Sequence, residues 1–187
     1  MASIIDLVRT DHEMLRTYYS KYKEAKEHDE KWFNLFVWEL ARHSVGEEMT
    51  LYPLLASTGE QGQKLADESR KDHHKLKLDL EEIMIKKDPK IMDTMFKELT
   101  DHMKMEEEED LVLLEQQFTV DELVAAGKTF KMHKMIAPTR PHSMLPEKPI
   151  SLEFAFGLLV APIDKLRDLL TEFPSQQEAD DAMKSSK

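Results

Sequence analysis

The chain has 187 residues, 41% of them hydrophobic and 34% charged, with a formal net charge of −11. That balance fits one globular domain, or one domain with an extension, and the acidity argues against a nucleic-acid partner, because phosphate binding needs basic patches. There is no cysteine, so disulfides, iron–sulfur clusters, zinc ribbons and thiol nucleophiles are excluded, and any metal must take nitrogen and oxygen ligands.

Only 5 glycines and 8 prolines punctuate the chain, and apart from Pro53 and Pro89 the prolines lie beyond residue 137, which predicts long helices. Ser3 is an N-cap for a first helix to about Glu27, with Ile4, Leu7, Val8, Leu15, Tyr18, Tyr19 and Tyr22 near helical spacing. After a polar turn at His28 to Glu30, a second helix runs from about Lys31 to Ala56, and Pro53 is expected to distort or end it early. Ser57 to Gly62 reads as a loop. A third helix covers about Gln63 to Lys87, and Asp88-Pro89 caps a fourth that reaches Gln117. Four long helices with short turns predict an all-α, antiparallel up-down four-helix bundle over residues 1–117.

Thr119-Val-Asp-Glu122 is a capping box that opens a fifth helix, ending near Ala137. Pro138, Pro141, Pro146 and Pro149 then demand an extended or irregular linker. Ser151 caps the apolar stretch Leu152 to Val160, and Pro162 opens a last short helix to Phe173. These additional C-terminal helices, over 118–175, are expected to pack back on the bundle, with 176–187 a flexible tail. No stretch approaches 18 apolar residues, so no membrane span is expected. Met1 to Arg9 lacks the pattern of a signal peptide, which leaves a cytoplasmic location as the expectation.

Two of the 8 histidines precede a glutamate by four residues, His43 with Glu47 and His102 with Glu106. On a helix these positions share a face, so both side chains can reach one ion. Alone the pattern is weak, since 37 acids make such pairs common as solvated surface residues. Each pair, however, follows an Asp-His: Asp11-His12 before His43, and Asp72-His73 before His102. The chain thus repeats a two-helix unit in which one helix gives a lone histidine and the next a His-Glu pair. An antiparallel hairpin of about thirty residues returns to roughly the same height, so all six side chains can meet at one level of the core. The histidines have apolar neighbours at helical spacing: Val8 and Leu15 about His12, Leu40 before His43, Leu99 and Met105 about His102. Burying two carboxylates without cations would be costly. Four histidines and two glutamates suit a dinuclear centre with bridging carboxylates, a bridging oxide or hydroxide, and a position open to dioxygen, peroxide or nitric oxide. Imidazole and carboxylate suit iron, manganese or zinc alike.

These residues carry a resemblance to the hemerythrin-like, HHE cation-binding proteins. The matching segments are Arg9-Thr-Asp-His12-Glu-Met-Leu15, His43-Ser-Val-Gly-Glu47-Glu-Met-Thr-Leu-Tyr-Pro53, Arg70-Lys-Asp-His73 onward to Leu80, and His102-Met-Lys-Met-Glu106-Glu107. Ala137 to His142 and Leu158 to Leu166 are similar to the extension of fungal members. The resemblance implies a four-helix bundle with two non-haem iron ions, and His12, His43, Glu47, His73, His102 and Glu106 match its ligand positions. The chain departs from the oxygen-carrying hemerythrins in one respect. Position +4 from His73 is Lys77 and from His74 is Leu78, so the fifth histidine is missing, and the acid after His102 comes at +4 rather than +5. The set is more similar to the iron-sensing hemerythrin-like domain of a ubiquitin ligase subunit. Between the neighbours His73 and His74, the repeat favours His73, because Leu76 and Leu80 stand to it as Leu15 and Tyr19 stand to His12. Asp11, Asp72 and Glu48 are candidates for orienting the imidazoles. Tyr18, Tyr19, Tyr22 and Tyr52 are within reach of the metals by position but at helical spacing read more readily as core, and His28, His133 and His142 read as surface or packing residues.

Three functions follow as alternatives: a protein that binds or senses iron, dioxygen or a related small ligand; a di-iron enzyme acting on peroxide, nitric oxide or ferrous iron; or a metal-free structural bundle. No protein partner is readable.

Overall fold

The structure is a computed structural model that describes residues 1–25, 30–86, 88–141 and 161–186. Helix α1 (Ile4–Glu24) starts at a reciprocal capping box, with Ser3 Oγ accepting from the Asp6 amide and the Asp6 carboxylate accepting from the Ser3 amide. Helix α2 (Glu30–Gly46) runs through a π-helical turn (Glu47–Leu51) into α3 (Tyr52–Ala56) as one rod. The turn that follows contains Gly59 at φ 112, a conformation glycine adopts without a Cβ clash. Helix α4 (Glu60–Lys86) begins three residues before the expected Gln63. Helix α5 (Pro89–Met105), capped by Asp88, passes through a second π turn (Glu106–Asp110) into α6 (Leu111–Gln117). These rods form the helical bundle, with α1 against α2, α3 against α4 and α4 against α5, and there is no strand among the described residues.

Two apolar clusters fill the bundle, one on each side of a polar layer. Leu15, Phe36, Leu40, Leu76, Leu80, Met95 and Leu99 belong to one cluster, and Ile4, Val8, Leu51, Leu55, Ala66, Leu111 and Leu114 to the other. Each rod crosses from one cluster to the other, and His12, His43, Glu47, His73, His102 and Glu106 lie at the crossing. Burial of each large apolar side chain contributes about 1.5–3 kcal/mol. The two clusters thus hold the rods in register and carry the cost of a charged layer between them.

The fifth helix, α7 (Val120–Ile136), is capped by the Thr119–Glu122 box and lies across α1, α2 and the first π turn. Its seat depends on two glycines. A Cβ on Gly127 would lie 2.8 Å from the Ala2 carbonyl, and one on Gly46 would lie 2.7 Å from the Phe130 ring. Helix α8 covers residues 161–168, and Arg140 of the linker donates to Asp168 at 2.7 Å. The expected cap at Ser151 and the apolar stretch Leu152 to Val160 fall outside the described residues, as does His28.

The structure departs from the sequence expectations in two places. Residues Gln176–Ser185, expected as a flexible tail, form helix α9. Ser175 and Glu178 make a third capping box, Ala182 is buried, Met183 packs on the first cluster, and the helix rests on α1. The distortion of the second rod, expected from Pro53, is not caused by proline alone. The fourth rod has the same π turn at the matching place, followed by Leu111 and Val112. Among the described residues no helix is long and apolar enough to cross a membrane.

Candidate metal centre

The six expected side chains converge in the polar layer, where all are buried. They form two sets of four, His12, His43, Glu47 and Glu106, and Glu47, His73, His102 and Glu106. Within each set one nitrogen or oxygen per residue lies within 4.8 Å of all the others. The sets share both glutamates. His12 and His43 stand with ring centroids 5.0 Å apart, and His73 and His102 stand 4.9 Å apart. Glu47 Oε1 is 3.1 Å from His43 Nε2 and 3.8 Å from His12 Nε2, while Glu47 Oε2 is 3.3 Å from His73 Nε2. Glu106 mirrors this, with Oε2 3.3 Å from His12 Nε2 and Oε1 3.3 Å from His102 Nε2.

Every imidazole turns Nε2 inward and Nδ1 toward an outer acid. His12 Nδ1 meets Glu107 at 2.8 Å, His43 Nδ1 meets Asp11 at 3.1 Å, His73 Nδ1 meets Glu48 at 3.5 Å, and His102 Nδ1 meets Asp72 at 3.5 Å. Such outer carboxylates fix ring orientation and tautomer, so that the inner nitrogen is the one left for a cation. The arrangement follows the sequence repeat. Asp-His on one rod supplies the acid for the histidine of its own unit's next rod, and Glu-Glu supplies an inner and an outer acid.

The two π turns begin on Glu47 and Glu106 themselves, closed by hydrogen bonds from the amides of Tyr52 and Leu111 to the carbonyls of those glutamates. A π turn inserts one residue and brings positions five apart onto one face. Tyr52 is thereby folded into the layer. Its hydroxyl donates to Glu106 Oε1 at 2.9 Å and stands 2.8 Å from His73 Nε2. Both the burial of Tyr52 and the nearby carboxylates Glu106, Glu47 and Glu48 push its pKa well above the usual tyrosine value, so the group is a neutral phenol.

Burial disfavours charge at the four histidines, yet hydrogen bonds and proximity to the glutamates outweigh it. The pKa of His12 is held well above its ordinary value, that of His43 is raised, that of His73 is raised to about 10 and that of His102 to about 9. Burial and the charge of Glu47 push Glu106 upward, but His102 and His12 bring it down to about 2. Glu47 is likewise held well below the carboxylate range against its burial, by His43, His12 and His73. The layer thus requires positive charge between its carboxylates, supplied either by protons on the imidazoles or by cations in their place. Among the described residues, His102 Nδ1 makes no hydrogen bond at its 3.5 Å distance from Asp72. Of the inward-facing atoms, His12 Nε2, His102 Nε2, both Glu47 oxygens and Glu106 Oε2 are likewise buried without a hydrogen-bond partner among the described residues. These orphaned atoms, all nitrogen or carboxylate oxygen, fit cations of the iron, manganese or zinc type.

His73 lies in the layer with 8% of its surface exposed, and His74 is exposed. His133 sits on α7 with Nδ1 2.8 Å from Thr50 Oγ1, outside the layer. Of the four tyrosines that the sequence offers as core or as neighbours of the metals, Tyr52 stands in the layer. Glu107 is the outer acid that sequence reasoning missed, although its place beside Glu106 matches that of Glu48 beside Glu47.

Comparison with known proteins agrees with this geometry. The family model described as the hemerythrin HHE cation binding domain matches residues 3–114, and the chain continues beyond it. An uncharacterized hemerythrin-like protein of Schizosaccharomyces pombe is 36% identical over 182 residues, which is 93% of this chain and 89% of that protein. No solved structure matches. Repeat, bundle, buried His/Glu layer and family match agree, and the chain belongs to the hemerythrin HHE cation-binding domain family.

Proposed function

We propose that this protein is a non-haem di-iron protein that binds or senses iron, dioxygen or a related small ligand at a centre of four histidines and two glutamates. The observation that carries the reading is the sharing of Glu47 and Glu106 between two His/Glu sets. A single ion would need only one set. In this reading His12 and His43 would hold one ion, His73 and His102 would hold the other, and Glu47 and Glu106 would serve both sets. When bound, two iron ions supply a redox-active pair able to take a small ligand. The chain's own residues supply the rest. The outer acids Glu107 and Asp11 orient His12 and His43 by hydrogen bonds, and Glu48 and Asp72 face His73 and His102 at 3.5 Å. The two apolar clusters exclude water from the layer. The phenol of Tyr52 keeps a proton between Glu106 and His73.

Metal analysis of protein expressed in iron-rich medium, with an optical spectrum under air, tests the proposal. Two irons per chain and a near-ultraviolet charge-transfer band are expected, and a chain without stoichiometric metal would overturn it in favour of a structural bundle. Turnover of peroxide by the iron-loaded protein would make it an enzyme rather than a binding protein.

A further inference from the structure

The two halves of the centre are related by the sequence repeat, but only one is covered by α7. Lys134 of α7 is buried and reaches between two buried acids, Asp11 of α1 and Glu39 of α2, donating to both. Asp11 in turn accepts from His43 Nδ1. Arg42 completes the cluster, 3.7 Å from Glu39, stacked over Trp38 and donating from Nε to the Lys134 carbonyl at 2.9 Å. Phe130, one turn before Lys134, stands edge-on to the His43 ring at 6.3 Å, and Gly46 leaves it the room to do so.

The matching acid of the other half is placed differently. Asp72 has 52% of its side chain exposed, so water rather than a buried cation solvates it. The contacts of the imidazoles follow the same division. The outer hydrogen bonds of His12 and His43 are 2.8 and 3.1 Å, whereas the contacts of His73 and His102 are both 3.5 Å. A fixed acid orients its imidazole more tightly than one free to exchange its partner for water, and losing an outer partner of this kind typically weakens metal binding about ten- to a hundredfold.

We propose that Lys134 is a positioning residue of the metal centre: by fixing Asp11 against His43, it makes the His12–His43 ion position the more tightly held of the two. The inference rests on the di-iron reading above. In it the fifth helix, which lies beyond the family match, gives two chemically similar positions different retention.

Release of iron from the loaded full-length protein to a strong chelator tests it. Wild-type protein should lose its two ions in two phases. Lys134→Met should speed the slower phase about ten- to a hundredfold and leave the faster one in place, and Lys134→Arg should restore most of the retention. Mössbauer spectra should change for one of two iron signals. Asp11→Asn should behave as Lys134→Met does, and the double variant should release iron no faster than either alone, because both changes remove one relay. Unchanged release from both single variants, or additive effects in the double, overturns the assignment. If Lys134→Met does not fold, Asp11→Asn decides alone, and unchanged release from it overturns the proposal. A wild-type protein that binds no iron fails differently, since it overturns the di-iron reading and the inference with it.

Discussion

Removing the ions should leave a protein whose stability falls as the pH rises, opposite to the loaded form. With no cation, protons on the imidazoles hold Glu47 and Glu106 together. The pKa of His102 is about 9 in the folded chain, against about 6.5 for an ordinary histidine. A group raised on folding contributes stability that is complete below the unfolded value and is lost as the pH climbs through the folded one. The gap of about two and a half pH units, at ~1.4 kcal/mol each, gives about 3 kcal/mol from His102. His73, at about 10, titrates against the same carboxylates, so its share is not simply additive. For a chain of this size 3 kcal/mol corresponds to a Tm change on the order of 10 °C. Thermal melts of chelated protein, followed by circular dichroism at pH 6.5 and pH 9, should show that fall. The iron-loaded protein should gain on the apo form over the same range, because ions compete better as protons leave their ligands. The slope should shrink in His102→Gln. A chelated protein that melts at the same or a higher temperature at pH 9 would refute the coupling of the four histidines to the two glutamates.

Glu47→Ala and Glu106→Ala should each lose close to two ions per chain and His12→Ala nearer one, since each glutamate serves both sets; metal analysis reads the difference, and two ions retained in both glutamate variants would refute the sharing. His73→Ala should lower the iron content and change the optical band while His74→Ala keeps both, and the reverse result would move the ligand by one residue. Asp110 is buried, and burial together with the charge of Glu106 raises its pKa to about 7. An acid raised on folding costs stability increasingly from about pH 4 to its folded value, so Asp110→Asn should stabilise chelated protein at pH 8 by up to about 4 kcal/mol. Urea denaturation should show the gain shrinking when iron is bound, and a destabilised chelated variant at pH 8 would count against it.

The six central side chains were legible because the chain states them twice. Asp-His followed about thirty residues later by His-x-x-x-Glu-Glu is a local pattern, and antiparallel helices of similar length turn it into a common height. His73 was separable from His74 on the same ground, since adjacent helical positions point about 100° apart. Tyr52 was only half legible, as one of four tyrosines within reach of the metals but read more readily as core. At five residues from Glu47 it lies off the ligand face of a regular helix, and only the π turn brings it round. Lys134 was hidden for a different reason: it meets Asp11 across 123 positions of sequence, and nothing in the periodicity of the fifth helix marks one lysine among several as buried. Helix α9 was missed although Ser175 and Glu178 repeat the capping signature found at Thr119 and Glu122. Its polar composition suggested fraying, whereas Ala182 and Met183 are enough to seat it on the bundle.

The repeat also shows where the two halves stop being copies. Gly46 corresponds to Met105, Leu51 to Asp110 and Tyr52 to Leu111. The first exchange decides what can cover the centre. A Cβ at position 46 would lie 2.7 Å from the Phe130 ring and 3.0 Å from Lys134 Cγ, so α7 can settle over the first half only because that position is glycine. The other two exchanges place both extra protic groups of the layer next to the second half: the Tyr52 hydroxyl beside His73 and Glu106, and Asp110 held by Ser69 Oγ at 3.2 Å. The half beneath α7 has its outer acid neutralised by a buried ammonium, while the other keeps its outer acid in water and has beside it a neutral phenol and a carboxyl whose pKa is raised to about 7. In the di-iron reading, six ligands in two equivalent sets would give two equivalent ion positions. The exchanges at these three pairs of sites, each next to one of the six His/Glu residues or about one turn away, remove that equivalence without altering any of the six.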